Sequence, residues 1–292
     1  MRWGEAVFVA LELTGREPDG VLARLRNKLI RPKFRLEQAS CLGGRYALLK
    51  WEGAGEPDWA AIEQICGSYT GRLLLPDGLS PPQESKIKRI IMPGYDNMVL
   101  QKTACGIIDR TKMPMYRRVL GFIDMEGAYD FMLDKLLMHF TAAKVYTRNV
   151  DVYNKAAVRV MDELGASVIL AEDFTALGDC VLVLSPGTVY TDMSPGFRCP
   201  VVSCGPFVAS GSYRLVSGLV CEPVWEVLAA CPIGIRPHDF AGALYEYCGI
   251  TSTTFLAKVM LFDYQITGLD QAVKAVIHEA GMDSPKFASR SN

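Results

Sequence analysis

Three short segments carry groups that could hold a ligand, and each follows an apolar run. They are Asp124-Met125-Glu126-Gly127, Thr147-Arg148-Asn149 and Ser185-Pro186-Gly187-Thr188. A guanidinium just past a strand can fork onto a phosphate, whereas an acid there would favour a ribose hydroxyl. Thr147 and Asn149 flank that guanidinium with a hydroxyl and an amide. Gly187 lets a ligand approach the backbone, and the Ser185 hydroxyl can donate. Gly127 is the one glycine of a turn that also holds two carboxylates. Each segment has a plainer reading as well. Arg148 and Asn149 fit a solvated helix-capping region, and Ser185 to Thr188 fit an ordinary turn. Asp124 and Glu126 fit a helix amino terminus, where each adds about 0.3–1 kcal/mol through the dipole. Alternatively they line a crevice and bind a cationic group, a ribose hydroxyl or a metal through oxygen.

Nucleophilic and metal chemistry find less support. Ser203-Cys204-Gly205-Pro206 ends another apolar run, so Cys204 is a candidate exposed thiol, but nothing in the sequence pairs it with a base such as His238. His238-Asp239 reads as a helix start with Asp239 as its cap. Nine cysteines form an odd set without a C-x-x-C pair, and none of His139, His238 and His278 neighbours a cysteine pair. That pattern fits reduced thiols in a cytoplasmic chain and argues against zinc. The motifs G-x-S-x-G, G-x-x-x-x-G-K-S/T and H-E-x-x-H are absent. Catalytic residues stay unknown at this level, and no metal is expected.

The elements that position these groups follow a strand–helix rhythm. Residues 5–13 read as a strand, Val21–Ile30 as a helix, and Phe34–Leu36 and Tyr46–Trp51 as strands around Gly43-Gly44. Asp58 caps a helix over Trp59–Cys66, and Leu73–Leu75 is a short strand. A connector follows, with a strand at Arg89–Met92 and a helix over Tyr95–Thr111. From there strands at Arg118–Ile123, Lys144–Thr147, Val168–Leu170, Cys180–Leu184 and Val201–Cys204 alternate with helices over Ala128–His139 and Val152–Leu164. These strands are apolar runs, as a parallel sheet covered on both faces requires. Tyr213–Cys221 reads as a hairpin, and Asp239–Cys248 and Asp270–Ala280 as helices closed by glycines. The expected division is 1–80, an N-terminal α/β domain; 81–115, a connector; 116–250, the main sheet; and 251–292, a helical segment and tail.

Composition bounds the partners. The chain has 292 residues, 31 Lys+Arg, 32 Asp+Glu and half its residues hydrophobic. Two domains fit that length at roughly 150 residues each, and disorder does not fit. No stretch is long and apolar enough to span a membrane, and no secretory signal is expected. Residues 1–115 carry 17 basic and 13 acidic side chains, and 116–292 carry 14 and 19, so +4 and −5 sum to −1. The one dense basic cluster, Arg24 to Arg35, holds six basic residues and no acid. It reads as a solvated helix face or as an electrostatic interaction module, with only Phe34 as an aromatic, so nucleic acid is not the expected partner. A small molecule or a protein is, and a homo-oligomer is left open.

Arg118-Val-Leu-Gly-Phe-Ile-Asp, Ala143-Lys-Val-Tyr-Thr-Arg-Asn, Glu163-Leu-Gly-Ala-Ser-Val-Ile and Asp179-Cys-Val-Leu-Val-Leu-Ser-Pro-Gly lie within residues 117–187. This stretch resembles the nucleotide domain of shikimate-dehydrogenase-like and glutamyl-tRNA-reductase-like proteins. The resemblance implies an α/β fold, with a smaller N-terminal α/β domain followed by a doubly wound, mostly parallel Rossmann-like sheet. In NADP-using members an Asn-Arg-Thr ends the second strand, and its arginine pairs with the ribose 2′-phosphate. Thr147-Arg148-Asn149 stands at that place here. The resemblance also implies a catalytic lysine and aspartate in the first domain. Met92-Pro-Gly-Tyr-Asp-Asn-Met does not reproduce that lysine motif, which leaves Lys102 and Asp109 as generic candidates.

The turn after the first strand departs from the pattern. A dinucleotide site wants G-x-G-x-x-G, and this chain has Asp124-Met125-Glu126-Gly127. A carboxylate about 4 Å from a phosphate charge costs on the order of 4 kcal/mol at an effective dielectric near 20. One charge-assisted contact from Arg148 returns about 1.5–3 kcal/mol. The expectation is therefore a ligand-binding, regulatory or assembly protein on a degenerate scaffold, without redox catalysis and without a cofactor. The alternative is an NADP-dependent oxidoreductase, which requires both acids to turn away. In that case Gly127, Thr147, Arg148, Asn149, Ser185 and Gly187 would meet the cofactor.

Overall fold

A computed structural model describes residues 6–14, 33–53, 56–191, 199–204, 207–209, 214–252, 254–261, 265–267 and 269–279. In chain order the elements are β1 (Val9–Leu13), β2 (Lys33–Cys41), β3 (Gly44–Glu52), α1 (Trp59–Cys66), β4 (Leu73–Leu74), α2 (Pro93–Arg110) and β5 (Val119–Ile123). Then come α3 (Leu133–Leu136), β6 (Ala142–Tyr146), α4 (Val150–Leu164), β7 (Ser167–Leu170), β8 (Leu182–Ser185), β9 (Val189–Thr191) and β10 (Pro200–Ser203). The last are β11 (Phe207–Ala209), β12 (Arg214–Pro223), α5 (Trp225–Ala230), α6 (Pro237–Cys248), β13 (Thr254–Leu261), β14 (Gln265–Thr267) and α7 (Leu269–Glu279). The expected Val21–Ile30 helix, and the basic cluster as far as residue 32, lie outside the described residues.

The chain forms two compact units, Met1–Tyr95 with Glu222–Phe255, and Asp96–Cys221 with Leu256–Asn292. The division expected from sequence runs along the chain, whereas each unit here is assembled from two separate stretches.

The first unit holds a four-stranded sheet in the order β2-β3-β1-β4. Leu42 and Gly43, both at positive φ (49° and 87°), turn β2 back onto β3 as an antiparallel hairpin. Val9, Leu11, Leu49 and Trp51 pack with Ile62 and Cys66 of α1, whose amino end Asp58 caps through the Ala61 N–H at 3.1 Å. On another side Phe8 stacks on Tyr46 (centroids 5.3 Å), and both rings meet Phe240 of α6. The Tyr46 hydroxyl donates to the Ala230 carbonyl at 3.2 Å. Residues 225–248 thus cover an aromatic face laid down by residues 8–46.

The second unit is built on an eight-stranded sheet in the order β14-β13-β12-β10-β8-β5-β6-β7. Six of these strands, from β12 to β7, are parallel, and the fold is Rossmann-like α/β. β5 pairs with both β6 and β8, so winding reverses between β5 and β8, the place at which sheets of this order take ligands beyond their carboxyl ends. β8 and β10 are buried along their whole length, as a doubly covered parallel sheet demands.

Four expectations for the elements change, the first at residues 251–292, expected as a helical segment and tail, where β13 and β14 precede α7. Arg89–Met92 contributes only a bridge from Arg89 to Leu73, and α2 starts at Pro93. Ala128–His139 is not one helix but a 3-10 turn, Asp130–Met132, and the single turn α3. The region of the expected hairpin is instead one strand, β12, parallel to β10. Among the described residues no helix is long and apolar enough to cross a membrane.

Candidate functional site at the carboxyl edge of the parallel sheet

Asp124 decides the shape of the turn after β5. Asp124 is only 3% exposed, at the end of the apolar run Val119–Ile123. Oδ1 accepts the Gly127 N–H at 3.0 Å, and Oδ2 accepts both the Tyr129 N–H and the Tyr153 hydroxyl at 2.7 Å. The carboxylate is turned into the fold and surrounded by donors. The Gly127 and Tyr129 N–H groups are both tied to Asp124, and regular structure resumes only at the 3-10 turn Asp130–Met132. Burial, and then the bond to Asp124, push the Tyr153 phenol far above its ordinary pKa. It stays a neutral donor.

Gly127 is required twice over. Its φ is +72°, and a Cβ there would lie 2.9 Å from the Asn149 Cβ. That close approach stitches the β5 turn to the β6 turn. The Arg148 N–H donates to the Met125 carbonyl at 3.2 Å, and Asn149 Nδ2 donates to the Glu126 carbonyl at 3.2 Å. Thr147 Oγ1 accepts the Asn149 N–H at 3.0 Å. Thr147 and Asn149 therefore shape the turn. Arg148 is exposed, and among the described residues its guanidinium has no hydrogen-bond or ion-pair partner.

The β8 turn follows the strand that flanks β5 on the side away from β6. Ser185 is fully buried, and its hydroxyl donates to the Gly187 carbonyl at 3.3 Å. A Cβ built on Gly187 would sit 3.7 Å from Cε2 of Tyr129, so the Tyr129 ring spans from the β5 turn to the β8 turn. Ser203 ends β10 in register with Ser185. All six residues expected at a cofactor thus stand at one edge of one sheet. Tyr129 and Tyr153 were not anticipated. Tyr153 begins the buried stripe Tyr153, Ala156, Val160 of α4, and that spacing is the one signal that marked it.

The other candidates sit elsewhere. Cys204 belongs to the second unit, where its thiol donates to the Asp96 carbonyl at 3.3 Å, and His238 belongs to the first. Gly205 and Pro206 lie outside the described residues. Asp239 does not cap its helix. Arg236 holds the N-cap place, Pro237 follows, and Asp239 pairs with Arg236 at 2.9 and 3.0 Å. Lys102 is exposed on α2. Asp109 accepts from Arg118 at 3.1 Å and pairs with His139 Nδ1 at 2.8 Å, next to the amino ends of β5 and β6 and so away from the turns. Burial raises the Cys105 and Cys180 thiols to about 12, and Cys66 and Cys231 to about 11, so none of these four is a thiolate at neutral pH. No group of three or more metal-ligating side chains comes together among the described residues.

No protein-family model matches the chain, and no curated protein matches its sequence. Solved structures similar to it include a Δ1-pyrroline-2-carboxylate reductase of Thermococcus litoralis in complex with NADH and L-proline. The identity is 15%, over 38% of this chain and 37% of that one, with a TM-score of 0.28. An archaeal alanine dehydrogenase dimer with bound NAD is similar at 13% identity over 60% of this chain and 58% of that one, TM-score 0.28. L-tryptophan dehydrogenase from Nostoc punctiforme is similar at 12% identity, 94% and 80% coverage, TM-score 0.31. The chain spans less than two thirds of the length of the first two.

The expectation of a binding, regulatory or assembly protein without redox catalysis is corrected. The similar structures are a reductase and dehydrogenases. Its physical premise fails for one of the two acids: Asp124 is buried and turned inward, whereas Glu126 stays exposed at the turn.

Proposed function

We propose that the carboxyl edge of β5 and β6 binds a pyridine dinucleotide carrying a 2′-phosphate, and that the chain is an NADP-dependent oxidoreductase. The observation that carries this reading is the opposite orientation of two charges: Asp124 inward and Arg148 outward. Glu126 is left as the acid facing water. At about 4 Å from a phosphate charge it costs roughly 1 kcal/mol in bulk water. With Asp124 withdrawn, one acid instead of two opposes the charge-assisted contact from Arg148, and solvent screens both exposed charges. The donor set fits the group, with Gly127 supplying the close backbone approach and Arg148 the fork for the 2′-phosphate.

The site differs from an ordinary dinucleotide turn in one respect. The Gly127 and Tyr129 N–H groups already donate to Asp124, so binding leans on side chains more than on backbone amides. Bound nicotinamide would supply the hydride donor or acceptor. The free thiols of the described cysteines support a reducing, cytoplasmic setting for that chemistry.

Titration calorimetry with NADPH and NADH tests the reading. Arg148→Ala is expected to weaken NADPH by about 10- to 100-fold, the loss of one charge-assisted contact. NADH should be nearly unaffected. Equal affinity of the unaltered protein for the two, unchanged by the substitution, would refute the 2′-phosphate site.

A further inference from the structure

We propose that the β7 edge of the eight-stranded sheet joins the β7 edge of a second copy of this chain, so that the sheet runs on across a two-fold axis. Among the described residues β7 ends the sheet and pairs with β6 alone. Open edges are ordinarily guarded by a lysine, a proline or a bulge. Gly165 to Ala171 contains no charge and no proline, and the register with β6 runs unbroken from Ser167 to Leu170.

The backbone of β7 fits a copy of itself. The Ala171 N–H donates to the Val145 carbonyl at 2.8 Å, so Ala171 and Ile169 turn their polar groups toward β6. Val168 and Leu170 turn theirs outward, one residue either side of Ile169. An antiparallel copy centred on Ile169 sets Val168 against Leu170 of the second copy and Leu170 against its Val168. Every outward N–H and C=O of these two residues is then paired. The same register puts Glu172 opposite Ala166, so no like charges face each other.

Apolar surface borders the edge on both faces. Ile169 is exposed on the face opposite to that of Val168 and Leu170. On α4, Arg159 pairs with Asp130 and with Asp134 of α3, at 3.3 and 3.1 Å, which turns that flank toward β5. The opposite flank looks out past β7 and carries Ala157 with the exposed Met161 and Leu164. A copy related by the two-fold axis covers this flank with its own.

Light scattering on the full chain and its variants tests the proposal. The unaltered chain should show twice the 32.2 kDa of one chain. Ile169→Lys brings two ammonium groups together at the axis and should weaken the dimer by about 100-fold or more, with unchanged far-UV circular dichroism. Met161→Lys, at an exposed helix position, should act in the same direction and serves if Ile169→Lys does not fold. In Ile169→Cys the two Cα atoms lie about 4.5 Å apart across the axis, so mild oxidation should link the copies, whereas Glu172→Cys should not link. A single-chain mass for the unaltered protein overturns the proposal. So does a dimer that both lysine variants leave intact, because the copies then meet elsewhere. Linkage through Glu172→Cys in place of Ile169→Cys overturns it as well.

Discussion

Asp124 and Asp239 are both buried aspartates, 3% and 5% exposed, and the fold neutralises them by different means. Asp124 is held by dipoles, two backbone N–H groups and a phenol. Asp239 is held by charges, with Arg236 bidentate and Arg89 at 3.5 Å. The difference lies in what each partner can do alone. A guanidinium at the surface can return to water, whereas the Tyr153 hydroxyl, in a fully buried side chain, cannot. A buried acid tied to dipoles is therefore the less replaceable of the two, although ion pairs look stronger on paper.

That ranking can be broken by urea unfolding. Asp124→Ala is expected to cost about 3–5 kcal/mol, because it orphans donors inside the fold. Asp239→Ala should cost about 1–2 kcal/mol, since its arginines rehydrate and a desolvated charge disappears. A larger loss at Asp239 would reverse the comparison. Tyr153→Phe sharpens it by removing one donor and keeping the ring, with an expected loss of about 1–2 kcal/mol. The same variant should leave the Arg148-dependent preference for NADPH in place.

The smallest effect separates the two sites by pH. Burial pulls the His238 pKa below its ordinary value, against a weaker upward pull from Asp239 beside it. Folded His238 thus stays neutral while the unfolded chain takes up a proton near pH 6.5. The unfolded state binds more protons as pH falls through that point, so stability drops there. His238→Gln should flatten the fall in urea midpoint between pH 7 and 5.5. An identical fall in the variant would remove His238 as its source.

Much of the large sheet was legible because burial on both faces writes itself into the chain. β5, β8 and β10 are short apolar runs, and Gly165 and Gly249 end α4 and α6 in the left-handed region as glycines at such places do. Asp58 likewise caps α1 from its place in the sequence. The turn after β5 was not legible. Whether Asp124 faces a ligand or the fold depends on Tyr153, 29 residues away on α4, and no local pattern connects the two. Asp239 misled for a related reason: an acid near a helix start suggests a cap, while its partner was the arginine three residues earlier. Tyr213–Cys221 reads as a hairpin, but Arg214–Val216 pair in parallel with β10 and the strand runs on to Pro223. The six proposed cofactor residues were singled out by their place after strands, whereas the nearness of Tyr129 to Gly187 shows only when β8 is set beside β5.

The discontinuous make-up of the first unit has a consequence for synthesis. A ribosome adds about 5–20 residues per second, so the segment that shields Phe8 and Tyr46 arrives roughly 10–30 s after their own sheet has emerged. Strands made first wait longest for their cover. During that interval the nascent chain presents an aromatic surface to chaperones and to other copies of itself.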